Sequence, residues 1–353
     1  MVQQRITGHK AVRAALRDTE TYSSDLQGDA DVRNYRQLPL EVDPPRHHLF
    51  RAALSPMFVR PRIQELQPEF RAIALRVLDD FERHSGGDFV QEVALRYVIE
   101  CLGVIYNRPQ DVEEWRTWGP DVWTAEGTGR SGSKLHAYLE RAYKEAGTSA
   151  QQDIWNFVRA ISIDDDAITF EEFQGIAGVL LAGGRDTVVK LLSGTAWHLV
   201  TTPDDVAELI AQEVTLEAAI QEMLRVFTPL PAMLRVTPDQ QQVPDDLRDP
   251  DKYVAIDFRS ANYDPDQFPD PDVIDIRRTK VAHVAFGFGP HTCIGNHVAE
   301  VETLVLFQEI LPRIHKWALR AAPQIHWQDF PHGRFPERFE NLEVTVASAI
   351  SAR

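Results

Sequence analysis

FGFGPHTCIG, residues 286–295, holds one of the chain's two cysteines and rings it with glycine, proline, phenylalanine and histidine. Three environments suit such a thiol. A free cysteine commonly serves as a small buried hydrophobe. His291, Cys293 and His297 would offer nitrogen and sulfur ligands to zinc, although their spacing is not that of a standard finger and a fourth ligand is missing. The third environment is a thiolate on haem iron, which asks for a dry, apolar, closely approached sulfur.

The surrounding residues fit the third case. Gly289 and Gly295 lack a Cβ, so the backbone can turn sharply and press against a flat macrocycle. Phe286 can shield the sulfur. Beyond Cys293, the residues Ile294, Val298, Val301 and Val305 recur at helical spacing, which puts the sulfur at a helix N-terminus whose free N–H groups favour negative charge. A metal and a positive helix end together would keep the sulfur deprotonated.

Outward from this loop, the 353 residues are 43% hydrophobic and 25% charged, as expected of a globular protein with a real core, and residues 1–353 read as a single domain. Two cysteines cannot build a disulfide framework, and VQQRITGHKAVRAAL after Met1 has no apolar signal region, so a cytoplasmic location is expected. GIAGVLLAGGRDTVVKLLSGTAWHLV is long enough to span a bilayer but carries Arg185, Asp186 and Lys190, which reads as a buried helix and no membrane anchor. A formal charge of −16 argues against a nucleic-acid partner. Against that acidic background, residues 44–64 contain Arg46, Arg51, Arg60 and Arg62 and no acid, a basic island that would suit an acidic partner or simply form a solvated helix face.

Apolar residues recur at spacings of three and four through most of residues 8–225, whereas strand patterns are short and late, in KYVAIDF and NLEVTVASAI. The predicted fold is mainly α with small β-sheets. Thr169 and Glu172 form a capping box, with Ile168 and Phe173 as its hydrophobic staple, so a helix starts there. Nothing stops it before TTPDD at residues 201–205, which predicts about 32 residues and about 48 Å, enough to cross the molecule. Within it, Gly183 and Gly184 each cost about 1 kcal/mol relative to alanine. EGTGRSGS, residues 126–133, reads as a mobile loop after Trp115, Trp118 and Trp123.

Taken together these segments resemble the cytochrome P450 family. FGFGPHTCIG matches its haem-thiolate signature at Phe286, Gly289, His291, Cys293 and Gly295. GGRDT at 183–187 is similar to its oxygen-binding helix motif, EMLR at 222–225 to its Glu-x-x-Arg motif, and ANYDPDQFPDPDVIDIRR at 261–278 to the segment leading into the haem loop. The resemblance implies the P450 fold, a long central oxygen-binding helix crossing the haem, and haem b (iron protoporphyrin IX) with Cys293 as axial ligand. It implies proton delivery by Asp186 and Thr187, and a bulge at Gly183 and Gly184 that makes room for oxygen. His47, Arg51, Arg235 and His291 would hold the propionates. Glu222 and Arg225 would lock the fold, while Val179, Ala182, Pro231, Ala232 and Met233 would line the pocket under lids at residues 22–40 and 115–135.

The implied activity is insertion of one oxygen atom from O2 into a small, mostly hydrophobic substrate. Electrons would come from an acidic ferredoxin or flavodoxin with its NAD(P)H-dependent reductase. Alternatives are a peroxide-using or non-oxygenase haem-thiolate enzyme and a non-catalytic haem-binding protein. Without the cysteine loop, Asp186 would be read as an i,i+4 ion pair with Lys190. Two departures stand out: Val273 occupies the position of an arginine in the family's Glu-Arg-Arg network, and the chain begins at what resembles the family's second helix. The network is therefore expected to close differently, and loss of the family's first helix and strand would leave a sheet edge or the cavity open.

Overall fold

The structure is a computed structural model that describes residues 4–26, 33, 35–119, 132–148, 151–241, 252–330 and 333–347. Strand β1 (Gln4–Ile6) precedes α1 (His9–Ala15), and the basic island then folds as α2 (Arg46–Leu54), a 3-10 turn and α3 (Arg60–Glu65). Helix α4 (Gln67–Arg83) buries Phe70, Ile73, Ala74, Val77, Leu78 and Phe81, one face at the helical period. After β2 (Gly86–Asp88) and a π-type turn come α5 (Arg96–Ile105) and α6 (Val112–Arg116). Helices α7 (Ser133–Ala146) and α8 (Ile154–Arg159) and the small hairpin of β3 (Ser162–Ile163) and β4 (Asp166–Ala167) lead to the central helix. Most of the expected mobile loop, residues 126–131, and Trp123 lie outside the described residues.

The capping box forms as the sequence predicts: the Glu172 N–H donates to Thr169 Oγ1 at 3.1 Å, and the Thr169 N–H to Glu172 Oε2 at 2.8 Å. Ile168 and Phe173 are buried beside it. The helix does cross to Thr201, but it is not continuous. It divides into α9 (Phe170–Gly183) and α10 (Asp186–Thr201), with Arg185 at φ −104° and ψ −81° between them. The glycine pair is where the ladder gives way, since glycine is the residue whose backbone leaves helical geometry most readily.

Helices α11 (Pro203–Ile210) and α12 (Leu216–Phe227) follow, then β5 (Ala232–Arg235), α13 (Pro238–Gln241), β6 (Val254–Asp257) and α14 (Phe258–Asn262). The chain ends through α15 (Asn296–Ile310), β7 (Trp317–Leu319), β8 (Gln324–Phe330), β9 (Gly333–Asn341) and β10 (Glu343–Val346). KYVAIDF supplies the fully buried β6, which pairs in parallel with β1 and antiparallel with β5, placing Arg235 opposite Val254. A second sheet has the order β2-β10-β7, and β8 pairs with β9 in a hairpin. Helices α4, α5, α10, α12 and α15 pack on one another around the main core, with α7 and α8 against α9. Among the described residues no helix is long and apolar enough to cross a membrane.

Candidate active site

The cysteine loop is shaped by two residues with left-handed φ, Gly287 (+70°) and Gly289 (+76°). A Cβ on Gly289 would stand 2.7 Å from the Leu16 carbonyl oxygen, so α1 backs the loop too closely for any side chain there. Gly287 escapes a reading centred on the motif, although its place in a G-x-G run is a signal of its turn. At Gly295 a Cβ would meet only Cys293 Sγ at 3.9 Å, an ordinary contact. The Cys293 N–H donates to the Phe286 carbonyl at 2.8 Å, which folds the aromatic residue's backbone over the thiol.

Cys293 sits just before α15. Its side chain is accessible, yet protein encloses it and burial pushes the thiol up, opposed by the Gly295 N–H and the Arg51 guanidinium. The accessible side therefore faces interior space. Burial outweighs the Gly295 N–H and the Arg51 guanidinium, so these two alone do not hold a thiolate here. Cys101, not Cys293, is the fully buried structural thiol. The zinc reading fails: among the described residues no group of three or more His, Cys, Asp or Glu could hold a metal ion.

Beside the loop, the His47 and His291 rings lie 4.1 Å apart between centroids. Both nitrogens of His47 and Nε2 of His291 are buried without a hydrogen-bond partner. Burial holds both imidazoles neutral, His47 down to about 4, reinforced for His291 by His47, Arg235 and Arg51. Arg235 is buried and pushed down to about 10 by desolvation, opposed by Asp43. Donors with orphaned nitrogens thus converge with two guanidiniums, an arrangement that fits an anionic group with two carboxylates. Haem fits these residues: a sulfur ligand, a glycine cradle and a cationic edge.

The second candidate element is the break between α9 and α10. Thr187 Oγ1 donates to the Gly183 carbonyl at 2.8 Å. Asp186 is 68% exposed, yet surrounding protein raises its carboxyl, with Arg185 opposing at 3.5 Å. Its expected alternative partner goes elsewhere, because Lys190 Nζ points to the carbonyls of Thr228 and Pro229 at 3.4 and 3.5 Å and lies 4.6 Å from the Phe335 ring centroid. Burial pushes Lys190 down to about 7. These contacts bring the segment before Pro231 against α10, and Val179, Ala182, Pro231, Ala232 and Met233 are all half-buried. Within the lid at 22–40, the Leu38 N–H donates to the Gly175 carbonyl at 3.3 Å, while residues 27–32 and 34 lie outside the described residues, as do 120–131 of the second lid.

The buried Glu222 and Arg225 form a bidentate pair at 2.7 and 2.8 Å. Arg225 also donates to the carbonyls of Asn262, Pro271 and Val273. The network does close differently: Val273 contributes a backbone oxygen, and the second cation is Arg278, 3.3 Å from Glu222. The arginine doublet at 277–278 was its sequence signal. The basic island is less free than its composition suggested: Arg46 pairs with Glu172, Arg60 with Glu300, and Arg51 turns inward to the Thr292 carbonyl.

Residues 123–315 match the Cytochrome P450 family. The chain is 30% identical over 332 residues to a probable cytochrome P450 127A1 of Sinorhizobium fredii, covering 91% of this chain and 79% of that one. The chain belongs to the cytochrome P450 family. This P450 is also 28% identical to the cytochrome P450 monooxygenase PikC of Streptomyces venezuelae, over 92% of this chain and 82% of the relative. Its fold matches the structure of a carbohydrate active P450 with a TM-score of 0.85 and 27% identity, covering 97% and 91% of the two chains. A P450 of this kind is an oxidoreductase, a haem-thiolate monooxygenase that works with O2, an organic substrate and a redox partner.

Proposed function

We propose that this P450 binds haem b on Cys293 and hydroxylates, or oxidises in a related way, a small and mostly hydrophobic substrate. The observation that carries the reading is the convergence of the enclosed Cys293 with the unpartnered His47 and His291. When bound, the iron would supply reductive activation of dioxygen, with the thiolate donating electron density to it. Arg51, Arg235, His47 and His291 would hold the propionates, and Phe286 and Gly295 would flank the sulfur. Asp186, whose carboxyl burial raises against the opposing Arg185, would pass protons inward, and Thr187, whose hydroxyl donates to the Gly183 carbonyl, would hold the last proton. Gly183 and Gly184 would leave the helix open beside it. Val179, Ala182 and Pro231–Met233 would wall the substrate with small apolar surfaces, which favours apolar ligands.

Electrons would arrive from an acidic ferredoxin or flavodoxin, itself reduced by an NAD(P)H-dependent reductase, docking near Arg60 and Arg62. The test is the absorption spectrum of the reduced protein under carbon monoxide. The long-wavelength Soret band of a thiolate ligand supports the assignment; the shorter-wavelength band of a neutral ligand, or no Soret band, overturns it.

A further inference from the structure

The break between α9 and α10 has a neighbour that the catalytic motifs do not include. Tyr106 caps the C-terminus of α5, is 2% exposed, and donates its hydroxyl to the Leu180 carbonyl at 2.7 Å. In an uninterrupted helix that carbonyl would accept from the N–H of residue 184. Here residue 184 is the glycine that follows the last residue of α9, at φ −90° and ψ 2°. One turn earlier on α5, Leu102 Cδ2 would stand 3.2 Å from a Cβ on Gly184, so α5 lies directly against the break.

Tyr106 is itself held firmly. Its ring packs on Trp115 and Trp155, with centroids 6.2 and 5.9 Å away, and its carbonyl accepts from the Ile154 N–H at 3.0 Å. Burial pushes its phenol well up, so the hydroxyl stays a donor throughout the working pH range. A buried carbonyl needs a partner, and a fixed hydroxyl supplies one without requiring the helix to close.

We infer that Tyr106 is a positioning residue: its hydroxyl takes the place of the helical hydrogen bond at Leu180 and holds the helix open at Gly184. One turn on, the Gly183 carbonyl that receives the Thr187 hydroxyl is set by the same stretch of backbone. The consequence for turnover rests on the proposed role of Thr187, whereas the geometric part does not. Without the hydroxyl, the Gly184 N–H is the donor that regular helical geometry would aim at this carbonyl, which would draw α9 toward regular helix and shift Thr187.

The test is Tyr106→Phe, which removes one oxygen and keeps the packing, compared with wild type and Thr187→Ala as holoproteins. Amide hydrogen exchange across residues 180–188 is read first. Slower exchange at Gly184, by about threefold or more, is the expected result of a new helical hydrogen bond. Exchange unchanged throughout that stretch overturns the inference. The second reading is the rate at which the reduced holoprotein returns to its ferric form in aerated buffer. Tyr106→Phe and Thr187→Ala are both expected to change it in the same direction, with the carbon monoxide spectrum unaltered. A shift in exchange together with no effect of Thr187→Ala would keep Tyr106 as the residue that holds the break and remove Thr187 from the chemistry.

Discussion

His47 and His291 face each other with ring centroids 4.1 Å apart, and among the described residues both nitrogens of His47 and Nε2 of His291 find no hydrogen-bond partner. Two buried imidazoles beside Arg51 and Arg235 form an anion site made before the anion arrives. Replacing His47 by Leu, or Arg235 by Leu, removes one hydrogen bond to a charged group, worth about 1.5–3 kcal/mol. Haem loss to an acceptor such as apomyoglobin is expected to accelerate by about tenfold or more in each variant. Unchanged loss rates would move the propionates elsewhere.

Thr187→Ala deletes the hydroxyl that now rests on the Gly183 carbonyl. With electrons supplied by NADH through a redox partner, peroxide per NADH is expected to rise and product to fall, because proton delivery at a fixed position contributes a factor of about 100 or more. The ratio of product to NADH is the measurement. A ratio equal to that of wild type removes Thr187 from proton delivery.

Lys190 carries the main pH prediction. Burial lowers it from 10.5 to about 7 in the folded protein, opposed by Glu337 and reinforced by Arg259. Between those values the unfolded chain binds a proton that the folded chain has released, so stability rises with pH across this window. The penalty is fully present below about pH 7. Lys190→Met has no such term. In denaturant unfolding, wild type should gain on the order of 3 kcal/mol relative to the variant between pH 6 and pH 10. Parallel stability profiles would place the lysine's charge in solvent.

Arg60 is 55% exposed and already shares Glu300, so its pull on a partner is long-range and partial. Changing Arg60 and Arg62 together to Gln should slow reduction by an acidic partner most at low salt. The difference should fade as the Debye length shrinks below about 8 Å, above physiological ionic strength. Stopped-flow reduction at several salt concentrations is the check, and a salt-independent difference would point to contact packing instead.

The shape of the cysteine loop was legible because its constraints are local: glycine at 289, where φ is positive, and a helix directly after Cys293. The capping box at Thr169 and Glu172 was legible for the same reason, since both partners lie within one turn. The break at Gly184 was only half visible. The glycine pair marked a weak point, but the break itself is set beside Tyr106 and Leu102, about eighty residues earlier in the chain. Lys190 was placed in sequence beside Asp186 and in space beside Thr228 and Pro229.

By itself, then, the sequence determined where the central helix begins and which family pattern the chain carries, because those rest on neighbours along the backbone. Which cation completes the pair at Glu222, which arginines of the basic island are neutralised, and what holds the central helix open were decided by the tertiary structure. The reason is physical: a buried charge or carbonyl takes whichever partner packing brings within about 3 Å, and sequence separation places no limit on which one that is.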